Sequence, residues 1–204
     1  AETLSHREGR QRFSMLNGIF LNLQFSAGIV LFAFALLQFG YRKRDFLNYN
    51  LAGLFFCLSY IIFNTWIFGS GSAYMFRMLL HIDTAVSFAI GPFAYFYLQT
   101  ATGGNVPGKR CYAANFLPAF ASLAGVLVIH FRNPEIAAYY SSHSPILPYT
   151  AIHPFIYYID ILSNISILIY VIISIAGIFP VIRNQNRREV GELRFILIYM
   201  SLVA

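Results

Sequence analysis

Charge is scarce in this sequence. Asp, Glu, Lys and Arg make up 11% of its 204 residues, against 58% apolar residues, and a chain so poor in charge does not belong to the ordinary soluble class. Cysteine is scarcer still, with two residues. Cys57 lies inside an apolar run and Cys111 in a polar segment, with no CxxC or zinc-ligand spacing, which argues against a disulfide framework or zinc knot and for two free thiols. A phosphate-binding glycine loop, a kinase signature and a nucleophile elbow are also missing. Gly69-Ser70-Gly71-Ser72 superficially resembles a serine-enzyme motif, but no His stands in a matching pattern, so it reads as a turn. No internal or inverted repeat is evident, which lowers the case for a transporter without removing it.

Long apolar runs fill the space. The first goes from Met15 to Tyr41 and is stopped by Arg42-Lys43-Arg44-Asp45; the second, Phe46 to Phe68, ends at the Gly-Ser turn. A third runs from Met78 to Thr100, a fourth from Ala113 to Phe131 and a fifth from Pro154 to Ile182. Pro134, Pro145 and Pro148 disfavour a helix in the loop before the fifth, whereas Pro154 suits a first helical turn. The last run, Phe195 to Ala204, reaches only about 15 Å, half of a hydrocarbon core. The expected fold is therefore all-α, a polytopic transmembrane helix bundle of five complete spans and a truncated sixth. Residues 1–14 are expected to form an exposed tail that is not native, with Met15 as the natural start. A cleaved signal peptide fits less well, because the first run is too long and a basic stop follows it at once.

Lys and Arg collect on alternate sides of these runs. One side holds Arg42, Lys43, Arg44, Lys109, Arg110, Arg183, Arg187, Arg188 and Arg194; the other holds Arg77, Arg132 and the tail residues Arg7, Arg10 and Arg12. The richer side is expected in the cytoplasm, which makes 42–45, 101–112 and 183–194 cytoplasmic loops and puts the amino end outside. The net charge of +6 thus reads as orienting charge near lipid headgroups, and no nucleic acid contact is expected from this segment.

Ionisable residues within spans are costly, so Asp83 and Asp160 are the first places to look for function. In the fifth run His153, Tyr157, Asp160 and Asn164 recur at spacings of four, three and four, which stacks them on one helical face. The cost of an unpaired amide near the bilayer centre leads one to expect that this face turns inward. The third run adds His81, Asp83, Thr84 and Ser87 at comparable depth, and the second adds Asn64 and Thr65. Asn64, His81, Asp83, Thr84, Tyr157, Asp160 and Asn164 are therefore the candidate ligand-binding residues, open to the outer side. The bland alternative is that they bond one another across helices and only hold the bundle together. No catalytic residue, metal or cofactor is assigned, since His130, His143 and His153 lack an HxxxH or HExxH spacing. Gly91-Pro92 is expected to mark a kink.

The run Arg42-Lys43-Arg44-Asp45-Phe46-Leu47-Asn48-Tyr49-Asn50-Leu51, together with Gly91-Pro92-Phe93-Ala94-Tyr95-Phe96-Tyr97, resembles the membrane half of bacterial AraC-type helix-turn-helix regulators. The order of basic loop, Gly-Pro-x-x-Tyr-x-Tyr, Lys109-Arg110 loop and a helix with Leu117-Pro118 contributes to the likeness. The resemblance implies a bundle of about seven helices in the bacterial cytoplasmic membrane, and a cytoplasmic DNA-binding output beyond Ala204. The resulting reading is a sensory input domain, with the lipid bilayer and a periplasmic or membrane ligand as partners and a homodimer as one allowed assembly. Its rivals are an intramembrane metal-dependent hydrolase using His81, Asp83, His130 and Asp160, and part of a transporter.

Overall fold

A computed structural model describes residues 2–40, 45–70, 82–132 and 154–184, and every regular element among them is an α-helix. In chain order these are α1 (Glu2–Gly40), α2 (Phe46–Gly69), α3 (Ile82–Ala101), α4 (Lys109–Asn115), α5 (Leu117–Arg132) and α6 (Pro154–Asn184). Three stretches, Asn17–Gly40, Phe46–Ile67 and Pro154–Gly177, are long and apolar enough to cross a membrane, and the pair α4 and α5 makes a fourth if taken as one span. The apolar faces that remain open support that reading. Leu23 and Leu37 on α1 are 64% and 66% exposed and Ile172 on α6 is 57% exposed, continuous apolar surface that is suited to lipid and unsuited to water.

α1 starts at Glu2, so the tail expected before Met15 is helical in continuity with the apolar run. Nothing from Glu2 to Ser14 breaks a helix except one glycine, and a helix already nucleated by the following residues extends through such a segment. At 39 residues α1 is about 58 Å long, nearly twice the hydrocarbon thickness.

α3 is the hub, packed against α2, α5 and α6, while α1 packs along α2. This explains a difference from expectation: α3 is not among the helices apolar enough to count as a span by composition. Asp83, Thr84, Ser87, Tyr95, Tyr97 and Gln99 interrupt its hydropathy, and its neighbours, rather than lipid, cover Phe88, Ile90, Ala94 and Phe96. Pro92 sits inside an α3 that runs unbroken through the Gly-Pro pair. Gly91 is required there by proximity: a Cβ would lie 2.5 Å from the Tyr170 ring of α6. Gly53 gives α2 the same close approach to Phe93 of α3.

After Ala101 the chain turns through a Schellman motif. The Gly103 N–H donates to the Thr100 carbonyl at 3.0 Å and that of Gly104 to the Gln99 carbonyl at 2.8 Å; Gly103 takes the positive φ of 78° the motif needs. The fourth span was expected to be one helix from Ala113. Instead a short α4 begins at Lys109, taking 109–112 out of the expected loop, and meets α5 at a 43° bend. Pro118 in the first turn of α5 is the cause, since it has no N–H and its ring crowds the Ala114 carbonyl. The run 195–204, the segment 78–81 and the loops 133–153 and 185–194 lie outside the described residues.

Candidate functional site

Where α2 ends and α3 and α6 begin, polar side chains from all three helices meet. Asp83 occupies the first turn of α3, where the helix dipole favours a carboxylate, and it accepts backbone N–H groups of that turn, including that of Thr84. The Asn64 side-chain amide, on α2, donates to the same carboxylate. Tyr60, one helical turn before Asn64, is in electrostatic reach of Asp83, and so is Asp160 from α6. The pairing is incomplete: Asp83 Oδ1 and Asn64 Oδ1 are both shut off from solvent with no hydrogen-bond partner among the described residues. Buried polar atoms in that condition are uncommon and ask for an explanation.

The sequence candidates are thus partly brought together. Asn64 and Asp83 touch, Thr84 is buried beside them at 2% exposure, and Asp160 lies within electrostatic reach of Asp83. His81 and His153 lie outside the described residues. The stripe on α6 does not turn inward as expected, because Tyr157, Asp160 and Asn164 are exposed. Ile156, Ser163, Ile167, Val171 and Ser174 form the buried face instead. Spacing places residues on a common face without saying which face meets the neighbour; here small serines and branched chains fit the close contact with α3 better than a tyrosine and a carboxylate do. The polar cost is met locally, since Asn164 Nδ2 and Ser163 Oγ both donate to the Asp160 carbonyl, at 3.1 and 2.8 Å.

A second cluster, at the other end of the bundle, was not among the candidates. Tyr112 of α4 donates its hydroxyl to Asn50 Oδ1 at 3.1 Å, and Asn50 Nδ2 donates to the Phe46 carbonyl at 2.7 Å. The rings of Phe46, Phe96 and Tyr112 surround this contact, with centroids 5.0 to 6.2 Å apart. Tyr170 of α6 donates to Asn115 Oδ1, which ties α6 to α4. The two motifs behind the AraC-type resemblance meet here, Phe46 and Asn50 from one and Phe93, Tyr95 and Phe96 from the other. Their shared job in this chain is helix packing.

The chain matches no protein-family model, no curated protein and no solved structure. Among the described residues, no three His, Cys, Asp or Glu side chains gather to hold a metal. Of the four residues a hydrolase would need, His81 is outside the description and His130 makes a 3.0 Å contact from Nδ1 to the Val126 carbonyl on its own helix. What stands is an all-helical chain with three or four candidate membrane spans, in which Asp83 and Asn64 form an incompletely partnered polar contact between helices, while Gln99, Ser122 and Ser174 also carry buried polar atoms without a partner among the described residues.

Proposed function

We propose that the chain is the membrane-embedded sensory part of a bacterial signalling protein, built from five spans with the Asp83 end on the outer side. A ligand arriving there changes how α2, α3 and α6 pack, and α3 carries the change to the Tyr112 end on the cytoplasmic side. The observation that supports this is the position of α3. It holds Asp83 against Asn64 at one end and Phe96 against Tyr112 at the other, and it contacts every described long helix except α1 as a main neighbour. Unsatisfied polar groups at such a hub give a ligand differential contacts with two packings, which is the physical requirement for a population shift. The excess of Lys and Arg at 42–44 and 109–110 supports the orientation, and the AraC-type resemblance supports transcription as the output.

The test uses the native protein in its own host. Asp83→Asn and Asp160→Asn are placed at the chromosomal locus, membrane levels are matched by immunoblot, and transcripts are compared with wild-type and deletion strains. Transcript changes overlapping those of the deletion support the reading. Wild-type transcripts in both variants, against a clear deletion phenotype, overturn it.

A further inference from the structure

The chemistry at Asp83 also limits what its ligand can be. Asn64 is 4% exposed, its Nδ2 already serves Asp83, and its Oδ1 has no donor; Asp83 Oδ1 has none either. Both vacant groups are acceptors. Whatever completes the site must therefore bring positive charge or N–H or O–H donors, and an anion or a bare carbonyl that can only accept is excluded. Among the described residues no basic side chain answers Asp83: the charged group it feels is another carboxylate, Asp160, while Arg132 at the end of α5 is exposed. A carboxylate kept from solvent, with a second carboxylate facing it, concentrates negative potential that attracts a counter-ion.

Charge and ligand count then favour one positive charge over two. Asp160 is exposed on the surface of α6, so the carboxylate enclosed within the helix contact is that of Asp83 alone. The absence of a third His, Cys, Asp or Glu among the described residues argues against a transition metal, and two carboxylates with one amide fall short of the oxygen count that calcium or a bare alkali ion prefers. We infer that Asp83 Oδ1 and Asn64 Oδ1 together bind a monovalent cationic group, with Asp160 at the entrance drawing it in. That group is the primary ammonium of an organic amine, whose N–H donors can serve both oxygens, whereas a bare alkali ion needs more oxygen ligands than the two on offer. This deepens the sensory reading and rests on it for its biological meaning, though binding itself is measured separately.

The experiment takes the purified full chain in nanodiscs and follows its unfolding temperature during titration with sodium chloride, potassium chloride or n-propylammonium chloride. Choline chloride holds the ionic strength constant. Propylammonium is expected to stabilise wild type saturably, by several degrees at full occupancy, and sodium and potassium are expected to give no saturable increment. Saturation by propylammonium assigns the site to an amine, and equal saturation by sodium or potassium overturns that assignment. Asp83→Asn should abolish the saturable increment. Asn64→Ser should raise the half-saturation concentration by about tenfold, in line with the loss of one hydrogen bond or ligand to a charged group. Asp160→Asn, which changes an exposed side chain and does not depend on repacking, should raise it by about threefold and make it less sensitive to added choline salt. Indistinguishable curves for all cations, or a saturable increment that survives in Asp83→Asn, overturn the cation site while leaving the transcript test of the sensory reading standing.

Discussion

The Tyr170 hydroxyl donates to Asn115 Oδ1 at 2.6 Å, and the ring of the same tyrosine lies against Gly91, so one side chain locks α6 to both α4 and α3. Removing the hydroxyl alone isolates the first of these contacts. Tyr170→Phe should destabilise the bundle by about 0.6–1.7 kcal/mol, the range for single interhelical hydrogen bonds in membranes. Asn115→Ala should cost a similar amount, and the double variant should cost clearly less than the sum of the two. Reversible unfolding in bicelles measures all three, and strict additivity would mean that the hydroxyl does not stabilise through Asn115.

Gly91 tests the second contact. A Cβ there would meet Tyr170 atoms at 2.5, 2.9 and 3.0 Å, including the tyrosine's own Cβ, which cannot swing away. Gly91→Ala should therefore cost about 1–3 kcal/mol by overpacking. Combining it with Tyr170→Ala should recover most of the Gly91→Ala cost relative to Tyr170→Ala alone. The same unfolding assay reads the cycle, and an unrescued loss would place the clash elsewhere.

These two contacts also show where sequence reading ends. The long apolar runs made α1, α2 and α6 legible at once, because about 20 residues without charge have few homes other than a membrane. The bend at Pro118 was in plain view as Leu117-Pro118, yet an apolar run on both sides hid the break. Asp83 and Asn64 were legible as costly residues at similar depth; their contact was not, because depth does not fix which helices are neighbours. On α6 the spacing of Tyr157, Asp160 and Asn164 identified a common face, and only packing could decide that Ser163 and Ser174 were the residues turned inward. Tyr60 and Tyr112 were concealed by abundance: the chain holds 14 Tyr and 21 Phe, so an aromatic in a span carried no signal until the structure placed it beside a polar partner.

The two thiols give a test of topology that needs no mutation. Cys57 is 4% exposed in the middle of α2, whereas Cys111 is exposed on α4 beside Lys109 and Arg110. A membrane-impermeant maleimide should label Cys111 in inside-out vesicles and leave it unlabelled in intact spheroplasts. Cys57 should react in neither until the protein is denatured. Labelling of Cys111 from the spheroplast exterior would reverse the proposed orientation and with it the outer placement of Asp83.

The sign of one stability change separates a site from mere helix adhesion. If Asp83 served only to hold α3 against α2, Asp83→Asn would remove a charge-assisted hydrogen bond from Asn64 and lower stability by about 1–3 kcal/mol. The geometry argues for the opposite. One carboxylate oxygen lacks a donor, a second carboxylate faces it, and the Asn64 oxygen beside it is also unmet. An amide at position 83 carries no charge for Asp160 to repel, and its N–H₂ supplies the donor that Asn64 Oδ1 lacks. With choline as the sole cation, Asp83→Asn should therefore unfold at a higher temperature than wild type, a gain of about 1 kcal/mol from exchanging a half-met buried charge for a mutual amide pair. A loss of stability under those conditions would assign Asp83 to adhesion. A gain would mean that wild type keeps a stability defect at the hub of its fold, which is the signature of a residue retained for what it binds.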